Sequence, residues 1–177
     1  MELTEHYRSF FRAMLRFAVL MLVVGGLMGL VYQEMSKSLT YLELDPGVRI
    51  EGLQRLAILH GHSFLIGTVM PIVWLAMLYF SLLLGAAPIT PRGLKWIYWT
   101  YVPSAVSVIA LILYKGTHFI LELRDGNRDF VAINQGVFGG NKLLRGLAYG
   151  GSHTLATISL GIFAVYVWRA LSRVKQP

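Results

Sequence analysis

Between Arg55 and Arg92 the chain carries no charged side chain. That stretch constrains the fold more than any motif does, because about 20 apolar residues already let a helix cross the hydrocarbon core of a bilayer. Three further runs are long enough to do the same, so apolar segments fall at residues 13–34, 55–86, 95–122 and 146–170. Inside a bilayer every backbone N–H and C=O needs a partner within the protein, and single apolar runs meet that need as helices. The expectation is an all-α integral membrane protein: a four-helix bundle in one domain over residues 1–177, with an outer loop at 123–145. A composition that is 55% hydrophobic and 14% charged agrees. The second run exceeds one straight crossing, and Pro71 near its middle removes a backbone hydrogen bond, which predicts a bend there.

Arg8, Arg12 and Arg16 precede the first apolar run in the manner of a secretory signal. No small-residue cleavage pattern follows, so the run reads as a retained anchor. Cysteine is absent, which excludes disulfides, thiolate metal sites and cysteine nucleophiles and leaves histidine and carboxylate as ligands. Lys and Arg divide evenly between the two sides. Arg16, Arg92, Lys95, Arg169 and Arg173 lie close to helix ends, and seven of the nine acidic residues sit on the opposite side. That asymmetry predicts both termini inside (N-in/C-in), in a bacterial cytoplasmic membrane. The net charge of +7 then describes a basic rim beside anionic lipid and no nucleic-acid surface, because the cations flank spans instead of forming one patch. Trp96, Tyr98, Trp99 and Tyr101 suit an interfacial aromatic belt at the inner end of the third helix.

Ionisable side chains at membrane depth are costly and mark function by default. His60 and His62, His118, and His153 stand in three different apolar runs. In this topology they lie roughly 6 to 12 Å from the outer helix ends, at ~1.5 Å per residue. Each imidazole alone is as readily a packed side chain bonded to a neighbouring helix; three helices agreeing in depth favour a shared site. His6 reads as solvated. Residues 60 and 62 point ~200° apart around a helix, so both cannot easily serve one compact metal centre. A haem between helices needs one imidazole from each of two, small residues to admit the macrocycle, and cations for its propionates. Gly61, Gly67, Gly116, Gly150 and Gly151 suit the second need. Lys115, Arg124, Arg128 and Arg145 suit the third, each with the ordinary alternative of a snorkelling or loop charge.

His60-Gly61, followed by an apolar run to Met70-Pro71, resembles the second-helix motif of haem-copper oxidase subunit I. The whole chain resembles a small four-helix membrane family of the same superfamily, through Tyr32-Gln33-Glu34, His60-Gly61-His62, Tyr114-Lys115-Gly116-Thr117-His118 and Gly150 to His153. The resemblance implies an arc of four helices amounting to one third of the oxidase subunit. It implies a b-type haem with His60 as one axial ligand and His153 as its later-helix partner, and a homotrimer around the oxidase's pseudo-threefold axis. His62 and His118 have no counterpart in it. The oxidase's paired histidines beside a tyrosine, which form the copper centre, find no match, so oxygen reduction and proton pumping are not implied.

Two functions follow as expectations. The first is a membrane cytochrome, a possible oxidoreductase, in which haem b held by His60 and His153 passes electrons from a lipid-soluble quinol or senses a gas. His62, His118, Lys115 and Arg124 are its further candidate binding residues. The second is a copper or zinc protein for transport or storage, using His62 and His118 with His153 and Glu122. Lys115, His118 and Glu122 share a helical face, which predicts an ion pair there, with Glu122 able to orient an imidazole. Gly25-x-x-x-Gly29 and Gly146-x-x-x-Gly150 predict close helix contacts, chiefly within the chain. The 123–145 loop, apolar at Phe130, Val131, Ile133, Val137 and Phe138, is expected to fold back as a lid. Lys37 to Glu51 reads as a connection with a turn at Asp45-Pro46-Gly47. Neither a phosphate loop nor a nucleophile elbow occurs.

Overall fold

The computed structural model describes residues 2–173, and among them every regular element is a helix. Helix α1 (Glu5–Thr40) is followed by a rod over Pro46–Leu83 that comprises α2 (Pro46–Phe64), a π-helical turn (Leu65–Val69) and α3 (Met70–Leu83). Then come α4 (Pro91–Arg124), the short α5 (Phe130–Gly136) and α6 (Lys142–Leu171). Four of these rods are long and apolar enough to cross a membrane. Leu20, Leu27, Leu30, Leu147 and Trp168 all stay more than half exposed, as side chains that face lipid do. The protein is an integral membrane helical bundle.

Helix ends follow local chemistry. Pro91 opens α4 where a missing N–H costs nothing, and the Thr90 hydroxyl accepts from Gly93 N–H at 3.2 Å. Asn141 caps α6 by accepting from Leu144 N–H at 2.9 Å. At the other end of the first connection the expected turn is absent. Pro46 instead occupies the first helical position, so the connection shrinks from residues 37–51 to residues 41–45. The physical reason is the same: proline at a helix start is pre-organised, not a breaker.

The bend expected at Pro71 takes the form of the π turn. Met70 N–H bonds to the Leu65 carbonyl, five residues back, and Pro71 has no N–H. The carbonyl of Ile66 is thereby left without a donor from its own helix, and the Tyr101 hydroxyl of α4 donates to it. Tyr101 also tilts against Trp74 with 4.4 Å between ring centroids, and Trp74 stacks on Phe163 at 4.2 Å. These rings tie α3, α4 and α6 into the larger core cluster. Tyr101→Phe keeps the packing and orphans the Ile66 carbonyl, so it is expected to cost about 1–3 kcal/mol. A lowered unfolding temperature in detergent checks this; an unchanged one would mean that the carbonyl finds another donor.

Close approach of α1 to α2 and the π turn rests on glycine. A Cβ at Gly67 would stand 2.6 Å from Met21 Cβ, and one at Gly25 would stand 3.3 Å from the Phe64 ring. The Gly25–Gly29 pair therefore serves packing within the chain, whereas Gly146 and Gly150 meet nothing within 4 Å. Helix α4 is the centre of the bundle, packed on α1, α2 and α6; α6 rests on α4 and α3. Helices α2 and α6 flank α4 with almost no packing between them, and a cleft opens there. Helix α5 closes the end of the bundle above it, burying Ile133 against Leu39, Phe119, Ile120 and Leu123. The lid expected for the long loop is therefore present. Its return is made by Phe138, Gly139 and Gly140, all at positive φ.

Candidate cofactor-binding cleft

The cleft consists of two joined hollows that share Lys115 and Tyr149. The one near the α5 end holds about 520 Å³ and is walled by Lys115, Asn134, Lys142, Arg145, Tyr149 and Gly150. The deeper one holds about 220 Å³ between Arg55, Ile58, Ile112, Lys115, Gly116, Tyr149 and His153. Together they fall in the size range of cofactor sites. The walls are cationic: of Arg55, Lys115, Lys142 and Arg145, only Arg55 forms an ion pair among the described residues, to Glu51 at 2.7 Å.

Arg55 is the hub. Its side chain is 13% exposed. One terminal nitrogen donates to Glu51 and, at 3.0 Å, to Asn134 of α5. The guanidinium lies 4.8 Å from the Phe119 ring centre and 5.4 Å from that of Phe130. Arg145 reaches the same lid, donating to the Asn134 carbonyl at 2.8 Å. Among the described residues Arg55 Nε is nevertheless buried with no hydrogen-bond partner, and so is the Tyr149 hydroxyl. Two buried polar groups left orphaned in one cleft cost about 1–3 kcal/mol each unless a ligand satisfies them.

The four histidines part company. His153 lies exposed on the cleft wall, its Nδ1–H donating to the Tyr149 carbonyl at 2.7 Å, which leaves Nε2 free. His62 is half-buried and holds its own helix in the same way, Nδ1–H to the Ile58 carbonyl at 3.0 Å. His60 turns to α1: its Nδ1–H donates to the Gly25 carbonyl at 3.0 Å, and its ring sits where a Cβ on Gly29 would come within 2.9 Å. His118 spends Nε2 on the Ile133 carbonyl of α5 at 3.1 Å, a structural tie that holds the lid.

Several expectations are corrected here. His60 and His153 do not line one hollow, because His60 occupies the α1–α2 seam. Lys115 and Glu122 form no ion pair: Lys115 Nζ stands 5.6 Å over the Tyr149 ring and Glu122 accepts from Asn127 at 2.9 Å. Lys115 is drawn toward α6 by that ring, and Glu122 is held by the turn that ends α4. Arg124 is exposed at the end of α4 and outside the cleft, and Arg128 instead caps the α4 end through the Leu123 carbonyl. Gly67 serves the α1 contact and a Cβ at Gly61 would meet nothing within 4 Å; of the five expected glycines Gly116 and Gly150 line the hollows, joined there by Gly146. No three of His, Cys, Asp and Glu gather closely enough to hold a metal ion among the described residues.

Arg55, Tyr149, Asn134 and Lys142 are site residues that the motifs miss. Arg55, Ile58 and His62 stand at i, i+3 and i+7, a spacing that places an arginine and a histidine on one face of α2. Tyr149 stands one turn before His153 on α6.

Fold and cleft together define a class: an integral membrane helical bundle with a lidded, cationic, histidine-bearing cleft between two helices that scarcely pack on each other. Within that class, the chain belongs to the family described as protein of unknown function (DUF2871), whose model matches residues 11–170. No curated protein and no solved structure matches it.

Proposed function

We propose that this protein is a membrane-embedded b-type cytochrome, with the haem standing in the cleft between α2 and α6. The observation that carries the reading is the pair of orphaned donors, Arg55 Nε and the Tyr149 hydroxyl, in a cationic wall that also holds a histidine with a free Nε2. A haem fits these residues: an apolar plate with two carboxylates and an iron that takes imidazole. Bound there, it supplies one-electron redox chemistry at iron. The carboxylates suit Arg55 and Tyr149, with Lys115, Lys142 and Arg145 adding charge.

His153 would be an iron ligand on α6. Its Nδ1–H bond to the Tyr149 carbonyl fixes the tautomer and aims Nε2 outward, as ligating imidazoles require. Gly116 and Gly150 leave room for a flat ring, and α5 covers the polar end against water. A cofactor edge reachable from the lipid, between helices that do not pack together, suits exchange of electrons with a membrane-soluble quinol. With both termini inside, the lid faces the extracytoplasmic side.

The test is an absorption spectrum of the detergent-purified protein. Soret and alpha bands that shift on dithionite reduction are expected. Their absence after supplementation with hemin during expression overturns the reading.

A further inference from the structure

The His60-Gly61 motif points to His60 as the α2 ligand, yet the geometry points elsewhere. We propose that His62 is the α2 residue that faces His153 across the cleft and completes the iron ligation, while His60 is a packing residue of the α1–α2 seam. The ligand role rests on the cytochrome reading. The assignment of faces does not.

Helical phase makes the first argument. Arg55 and Ile58 wall the deeper hollow together with His153. At about 100° per residue, His62 lies roughly 40° from Ile58 and 20° from Arg55, whereas His60 lies roughly 200° and 140° away. All of these residues precede the π turn at Leu65, so the phase carries through unbroken.

The surroundings make the second. His60 is tied to α1 in its seam: the Gly25 carbonyl accepts its Nδ1–H, Gly29 makes space for its ring, and Phe64 of its own helix meets it edge-on with 4.8 Å between centroids. His62 has no neighbour from another helix among its hydrogen bonds. It is a half-buried imidazole on an apolar rod, and ionisable groups at that depth are costly unless they find a partner. His62 and His153 also share one device, an Nδ1–H donated to the carbonyl four residues earlier on the same helix. Each thus keeps an Nε2 with no hydrogen-bond partner among the described residues, His153 on the cleft wall and His62 on the α2 face that Arg55 and Ile58 share.

The chain has no cysteine, so paired cysteine substitutions label the faces without background. In membranes of the full-length protein, His62→Cys combined with His153→Cys is expected to cross-link with a short bismaleimide, and His60→Cys combined with His153→Cys is not. Preferential cross-linking of the 60/153 pair overturns the face assignment. For ligation, His62→Ala is expected to weaken haem retention by more than about tenfold and to abolish the low-spin six-coordinate spectrum. His60→Ala is expected to keep that spectrum and lower the unfolding temperature. The reverse pattern overturns the ligand assignment. Cross-linking of the 62/153 cysteine pair, together with a parent protein that binds no hemin, overturns the cytochrome reading and the ligand role together and leaves the faces as assigned.

Discussion

His153→Ala is expected to strip haem from the purified protein, with the Soret band falling to the level of unbound pigment while helix content is unchanged. The two halves of that expectation have separate causes. His153 is exposed, and its ring bonds only to Tyr149 and Ser152 of its own helix, so truncation leaves no cavity and breaks no contact between helices. Surface substitutions of that kind stay within about 0.5 kcal/mol. An axial ligand, by contrast, is a bond to iron, and losing it removes both affinity and the low-spin state. Exogenous imidazole should restore part of the spectrum, since the space left is the space an imidazole filled. The ratio of haem to protein and the spectrum with and without imidazole check it. Full haem occupancy in His153→Ala would remove α6 from the ligand set.

Arg55→Ala should be the most destabilising single change at the α5 end, by about 2–4 kcal/mol, since it leaves the Glu51 carboxylate without its partner. It also removes the Asn134 tie and the guanidinium between Phe119 and Phe130. The figure sits below that for a fully buried pair because Glu51 keeps 32% of its side-chain exposure and water screens it. The lid should loosen first. Trypsin then gains access to the 125–141 connection, where Arg128 offers a site. Arg55→Lys keeps the charge but loses the planar guanidinium that lies against Phe119 and Phe130 and sets its terminal nitrogen between Glu51 and Asn134, so it should recover part of the stability and little of the lid's resistance to cleavage. Thermal unfolding in detergent with timed proteolysis measures both effects. A lid as resistant in Arg55→Ala as in the parent would mean that His118 and Arg145 hold α5 unaided.

Much of the architecture is legible in the residues themselves. Runs free of charge announce the four rods, Pro71 announces a disturbance, and the apolar residues of the long loop announce a lid. Each of these rests on local chemistry that one segment carries by itself. The reading of the site from motifs fared differently. His60-Gly61 draws the eye to a histidine that packs against Gly25 and Gly29, and the shared face of Lys115 and Glu122 suggests an ion pair that does not form. Facing is a property of two helices together, and a spacing on one rod names its own faces without saying which neighbour each will meet.

Hydrophobicity over long windows committed this chain to a bilayer and to helices, because the backbone there has no other way to satisfy its hydrogen bonds. Which imidazoles share a space was left to packing. Glycines at 25, 29 and 67 let α1 close on one side of the second rod, and that closure turned His60 toward α1 and left Arg55 and Ile58 to the side where α6 stands apart.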